Sequence, residues 1–444
     1  MKVIRLFMVM ALATALFTQC NKDNLMDTLP GEDPSLKKGE KPDAPPKGSF
    51  TVTIENVSEH YSFFESGMIN TPVGESSPGP AFPGQSFTFS FHGGKGHQLS
   101  FATMYGISND LFYGPSGEGL ALFDGDTPLT GDITSMIMLW DAGTEVNEEP
   151  GVGPNTGPNQ SGPNTGPDEN GTVRNIDDVN DGFAYPPVAD NIKVMLDYNG
   201  TDTFTLTIEN LPGSSTPLSP LVWVVHSMPH ALFEEGMPDY GMGLEHLAED
   251  GATGMLAEYL SMNSGYVSPI APGVWVVHKK NNKPIFTDGM PDYGDGLEPL
   301  AEMGDPSTLA AALMAKGYES GVFNTPDGAG SPGPLFPGDS YTFTVDGKAG
   351  EYLSFASMLG KSNDLFFGPD DMGIRLFKGI DAVDGDITAH VKLWDAGTEV
   401  NEYPGAGIHQ GPGGVDEMEN VKMVNDGFMY PDVDQMIKVT IMRN

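Results

Sequence analysis

Apolar and polar positions alternate along this chain from Ser49 onward, and each such run predicts a half-buried antiparallel strand. Phe50-Thr-Val-Thr-Ile-Glu-Asn56 opens the series; Phe87, Phe89 and Phe91 mark one face of another strand, Leu99 and Phe101 a third, and Ile192, Val194 and Leu196 a later one. Phe204-Thr-Leu-Thr-Ile-Glu-Asn210 repeats the opening strand almost residue for residue. Further on, Ala389, Val391 and Leu393 alternate with His390, Lys392 and Trp394, so Asp395 falls where that strand ends. Val222–His226 is apolar on both faces, as a central strand is. Helical periodicity is confined to short stretches, Leu244-Glu-His-Leu-Ala-Glu249 onward and Leu309 to Ala315. The second is opened by Asp305-Pro-Ser, with Ser307 as candidate cap, and both are expected to pack on a sandwich end. With 57 Gly and 37 Pro in 444 residues turns are frequent. The pattern predicts an all-β chain of antiparallel strands with many turns and short accessory helices.

Internal repetition sets the domain boundaries. Leu139-Trp-Asp-Ala-Gly-Thr-Glu-Val-Asn-Glu148 returns unchanged as Leu393 to Glu402, and Ser108-Asn-Asp-Leu-Phe112 returns as Ser362 to Phe366. The first domain is therefore expected over 48–199 and the second over 200–444. The repeat is uneven: Phe50 and Phe204 stand 154 residues apart, whereas Trp140 and Trp394 stand 254 apart. The missing stretch is present twice in the second half, at 221–262 and again from Gly273 to about Met314, each copy carrying Val-Trp-Val-Val-His, Gly-Met-Pro-Asp-Tyr-Gly and Leu-Ala-Glu. A sandwich without a central strand exposes unpaired backbone, so 221–262 is expected to complete the first domain; an extra hairpin and helix on the second is the alternative.

The two signatures bring acids to one place. Ala-Gly-Thr permits a tight turn after Asp141 and Asp395, so Asp141 with Glu145, and Asp395 with Glu399, can face one loop at a sheet rim. Nearby carboxylates repel unless a proton or cation offsets them. Calcium, which takes 6–8 oxygen ligands in flexible geometry, suits such loops, and the absence of Cys and His from both signatures disfavours zinc. Solvated loop acids in a very acidic chain are the plain alternative. The Gly, Pro and Asn-rich stretch from Gly153 to Gly171 follows the first signature directly; it reads as an inert variable loop, with an overhang of the metal site as the alternative.

Ser-Asn-Asp-Leu-Phe followed by Trp-Asp-Ala-Gly-Thr-Glu resembles the spondin domain, the module in the N-terminal half of F-spondin and mindin. The likeness extends to Ala271-Pro-Gly-Val-Trp-Val-Val-His278, Gly296-Leu-Glu298 and the Leu-Ser-Phe strands at Leu99 and Leu353, covering nearly everything from about residue 48. It implies a C2-like antiparallel β-sandwich holding one Ca²⁺ per domain. The implied metal ligands are Asp110, Asp141 and Glu145 in one half, and Asp364, Asp395 and Glu399 in the other. The chain departs from the animal members' pattern in three ways: Glu replaces Asp at the last ligand, Asn and Leu flank the first Asp in place of Pro and Trp, and no cysteine lies in the domains.

Lys2 and Arg5 ahead of the apolar run Leu6 to Phe17 read as a secretory leader over 1–20, too short to span a bilayer. It leads to Cys20, the single cysteine, which resembles the lipid-attachment cysteine of a bacterial lipoprotein; residues 21–47 read as a disordered tether. The expected location is extracytoplasmic, on the cell surface or secreted, with membrane contact only through a lipid at Cys20. A formal net charge of −39 argues against a nucleic-acid partner. His226 and His278 read as strand-end imidazoles bonded to loops, and Asp239, Asp292 and Asp295 as turn residues in preference to a second cation site. No nucleophile elbow, Walker loop or His-Glu-x-x-His occurs, so no catalytic residue is assigned and the chain is not expected to be an enzyme. The reading is a calcium-binding surface module for adhesion to an extracellular protein or glycan. The alternatives are a matrix component stiffened by calcium, and a carbohydrate-active enzyme.

Overall fold

A computed structural model describes residues 45–410 and 413–444; the leader, Cys20 and all of the tether before Pro45 lie outside the described residues. The fold is all-β, built from two antiparallel sandwiches with a few short helices. Each sandwich pairs a four-stranded sheet with a seven-stranded one. In the first, the small sheet runs Ser86–His92, Thr203–Asn210, Ile192–Tyr198, Gly131–Asp132, and the large sheet runs Arg174–Asn175, Met138–Asp141, Leu111–Gly114, Gln98–Tyr105, Leu218–His226, Glu65–Ile69, with Leu120–Ala121 as a seventh strand paired to Gln98–Tyr105 off this path. The second repeats this order with Ser340–Lys348, Lys47–Asn56, Ile437–Arg443 and Gly385–Asp386 facing a sheet built around Ile270–Lys279 and Glu351–Leu359.

Strand pairing cuts the chain elsewhere than the boundaries 48–199 and 200–444. The opening strand lies between strands of the second sandwich, Phe50 opposite Val345 and Arg443. Its near-copy lies in the first, Phe204 opposite Phe91 and Tyr198. Loop closure gives the reason. Thr203–Asn210 follows Ile192–Tyr198 after a four-residue turn in which Asn199 Oδ1 accepts the N–H groups of Thr201, Asp202 and Thr203 at 2.9–3.1 Å. That local hairpin forms at low entropic cost and fills the slot. The equivalent slot of the second sandwich is then left for Lys47–Asn56. Leu218–His226 pairs with Glu65–Ile69 and Gln98–Tyr105, so it is the central strand of the first large sheet. The first sandwich is thus inserted between the first and second strands of the second.

Burial follows the two-fold character of these central strands. Leu221, Trp223 and Val225 enter the core between the sheets, with Phe89, Phe101 and Leu206. Val222 and Val224 face the other way, onto the helices Leu244–Asp250 and Gly254–Met262 through Leu247, Leu256 and Leu260. The helices therefore cover the outer face of the large sheet, not a sandwich end, because that face is itself apolar; Val274, Val276, Leu300 and Leu309 repeat the arrangement in the second sandwich. Ser307 is the first helical residue and no cap: the Asp305 carboxylate accepts its N–H at 2.9 Å. The strand predicted from Ala389 begins only at Lys392, after a 3₁₀ turn at Thr388–His390, and Trp394 is buried beside Phe286 under the helices.

Candidate functional site

Both acid signatures meet where the loop after Gln98–Tyr105, or its counterpart, touches the end of Met138–Asp141 or Lys392–Asp395. Ser108 builds that loop: its hydroxyl donates to Tyr105 O at 2.6 Å and accepts the Leu111 N–H at 3.0 Å. Asn109 clamps the second signature, donating to Val146 O at 2.9 Å and accepting the Glu148 N–H at 3.2 Å. Asp110 lies between, fully buried. Its Oδ2 accepts the N–H groups of Thr144 and Glu145 at 3.0 and 3.1 Å, while Oδ1 has no partner among the described residues. Asp364 repeats this with Thr398 and Glu399 at 2.8 and 3.1 Å, its Oδ1 again unpaired.

Asp141 and Asp395 are otherwise engaged. Each accepts the N–H two residues on, from Gly143 and Gly397, at 2.7 Å, the turn made possible by glycines at φ 70° and 69°. A base stands across the strand pair from each: Arg174 opposite Asp141, with an ion pair of 2.9 Å, and Lys422 opposite Asp395 at 3.7 Å. Glu145 and Glu399 turn toward the following loop, where they accept the N–H groups of Gly166 and Gly414 at 2.6 and 2.8 Å. A side chain at either glycine would collide with the carboxylate. The Gly, Pro and Asn-rich loop therefore closes over Glu145 and is no inert appendage: Glu145 also forms a bridge with Asp168, as Glu399 does with Asp416.

A fourth acid comes from the helical segment. Glu249 is buried with Oε2 unpaired, and it lies near Thr144 and Glu145; Glu302, its counterpart, lies near Thr398 and shares the field of Glu399. Burial raises every one of these carboxyls above the ordinary range. Asp110 is pushed well up by burial and then by Asp141, and Asp364 is pushed to about 7 by burial and then by Asp395. Glu399 reaches about 7 through burial and Glu302, and Glu249 about 7 through burial. In Asp141 burial outweighs the opposing pull of Arg174.

The donors are all oxygen, and the unpaired buried atoms, Asp110 Oδ1 and Glu249 Oε2 in one sandwich, Asp364 Oδ1 and Glu399 Oε2 in the other, are the chemistry a hard cation seeks. Among the described residues, however, no group of three or more His, Cys, Asp or Glu side chains converges closely enough to hold a metal ion as it stands. Asp110 and Glu145 meet through a backbone N–H, Asp141 through its turn and its base, so the six acids share two loops without forming closed shells.

His226 and His278 are buried, each with one ring nitrogen 2.8 Å from a serine hydroxyl, of Ser100 or Ser354, and the other on a backbone carbonyl. Asp239 accepts the Gly241 N–H at 2.9 Å within its turn. Sequence reasoning passed over Glu249, Glu302, Arg174 and Lys422; the paired Leu-Ala-Glu motifs were the signal for the first two. No known family model matches the chain, and comparison with curated proteins likewise finds no match.

Proposed function

We propose that this protein is a spondin-like binding or adhesion module acting outside the cytoplasm, with one calcium ion at the acid loops of each sandwich. The observation that carries the reading is the unpaired, buried Oδ1 of Asp110 and of Asp364, at equivalent places in both sandwiches. A buried ionised oxygen without a partner is costly, and a divalent cation is the partner that an all-oxygen neighbourhood favours. Asp110, Glu145 and Glu249, with Asp141 bordering them, would hold the ion in the first sandwich; Asp364, Glu399, Glu302 and Asp395 would do so in the second. Bound calcium would tie the two signature loops together and offset their repulsion, a stabilising role that disulfides cannot fill in a chain with one cysteine. The surface so fixed would present the module to its extracellular protein or glycan.

One observation favours a second reading. Arg174 already lies on Asp141, and Lys422 approaches Asp395, so the loops carry part of their own counter-charge. On that reading the acids are rigid loop structure with no ion. Thermal unfolding in chelator, calcium and magnesium separates the two. At about a hundredfold excess over Kd, one calcium adds about 2.7 kcal/mol. The proposal expects a calcium-specific rise in melting temperature, and the second reading expects none.

A further inference from the structure

We infer that the second sandwich carries a binding cleft for an anionic glycan, separate from the acid loops and independent of the calcium reading. Bases are unevenly spread: residues 57–265 contain Lys95, Arg174 and Lys193, whereas 266–444 contain twelve Lys and Arg. Lys280, Arg375, Lys378 and His390 line one cleft of about 510 Å³ walled by Tyr352. Lys280 continues into an adjoining hollow with Lys279 and Lys348. The volume falls in the roughly 300–1,000 Å³ range of ligand sites.

These side chains are exposed, and among the described residues the ion pairs of this sandwich engage neither Lys280, Arg375 nor Lys378. Arg375 is held without being neutralised. It stands opposite Tyr352 in the strand pair, donates to the Tyr352 hydroxyl at 3.3 Å, and places its guanidinium 5.8 Å from the ring centre. A planar fork fixed this way is pre-organised for a carboxylate or sulfate.

The first sandwich supplies an internal control. At the positions equivalent to Lys280, Tyr352, Arg375, Lys378 and His390 it carries Met228, Gln98, Ala121, Asp124 and Met136. The pairings match: Gln98 stands opposite Ala121 as Tyr352 stands opposite Arg375. One backbone therefore carries these bases in one copy and not in the other, so the fold does not require them; two of the acids beside them change as well, Asp370 and Asp384 standing where the first sandwich has Ser116 and Thr130.

Asp370, Asp384 and Asp386 also face the cleft and decide the class of ligand. They repel any polyanion alike, so the occupant must bring neutral hydrogen-bond donors to them as well as anionic groups to the bases, and a run of acidic side chains brings only the second. A glycan bearing carboxylates or sulfates offers hydroxyl donors to these acids and anionic groups to the bases, which matches the mixed lining.

The test measures binding of the whole chain, in chelator, to polygalacturonate, heparin, neutral dextran and polyglutamate. Carboxylated or sulfated chains should bind with an affinity that falls as salt rises; the two arms tell which anion is preferred. Dextran should not bind. Replacing Lys280→Met, Arg375→Ala and Lys378→Asp, the residues of the first sandwich, should weaken glycan binding at least tenfold while leaving the melting temperature and the calcium response unchanged. Absence of binding to both anionic glycans, equal binding by the triple variant, or polyglutamate binding as tightly would overturn the inference. Because chelator is present throughout, a failed calcium reading leaves this result intact.

Discussion

The backbone N–H of Glu145 donates to Asp110 Oδ2 at 3.1 Å, and 254 residues later Glu399 donates to Asp364 Oδ2 at the same distance. That bond fixes one oxygen of each aspartate and turns the other, unpaired, into the interior. The aspartates, more than the acids that follow them, should therefore control any cation.

Removing the charge from both aspartates tests this. Asp110→Asn with Asp364→Asn should abolish the calcium-induced rise in melting temperature. It should leave the chelated protein as stable as the wild type near neutral pH and more stable as pH rises, because Asn keeps the acceptor oxygen and removes a carboxyl whose ionisation burial opposes. Differential scanning calorimetry with and without calcium checks both halves.

The glycines that close the loops should matter next. In Gly166→Ala and Gly414→Ala the added methyl meets the carboxylate of Glu145 or Glu399. The loop should be displaced, cleaved faster by protease between 150 and 171 or between 402 and 417, and the calcium response reduced. Unchanged cleavage and response would show that the loops do not close on these acids.

Acidity should act in a defined direction. Asp364 and Glu399 are held at about 7, above ordinary values of 3.8 and 4.5. A carboxyl raised in the folded state costs stability once ionised. That cost is full above the folded value and is relieved as pH falls through about 7 toward the ordinary range. Without metal these groups therefore favour the folded protein at about pH 5 over about pH 8. Calcium must displace their protons, so its stabilising increment should shrink over the same window. His97, lowered to about 4 by burial, acts oppositely below its ordinary 6.5 but in both metal states, and so cancels in the difference. Melting curves at stepped pH, in calcium and in chelator, give the increment directly.

The opening strand should stabilise the far sandwich. Ile54 is buried against residues of the second core, so Ile54→Ala should cost that sandwich about 2–5 kcal/mol. Hydrogen exchange should speed up in 340–348 and 437–443 and stay slow in 86–92 and 203–210. Faster exchange in 86–92 would contradict the pairing.

The strands and their burial were legible because alternation and repetition are local properties. The exchange of opening strands was not, since Phe50–Asn56 and Phe204–Asn210 fit either slot; a four-residue turn at Asn199 decides between them, and periodicity is blind to it. Asp110, Asp141 and Glu145 stood out as an identical repeat. Glu249 and Glu302 did not, because the helix that delivers them lies far along the chain. Arg174 and Lys422 were hidden differently: they share a place opposite an aspartate but not an identity, and loops of unequal length precede them.

Isothermal titration of the metal-free protein with calcium tests the central claim most directly. The account predicts two ions per chain, one for Asp110→Asn, one for Asp364→Asn and none for the double variant, with magnesium much weaker because it demands a tight octahedral shell. Two ions still bound by the folded double variant, or none by the wild type, would contradict it.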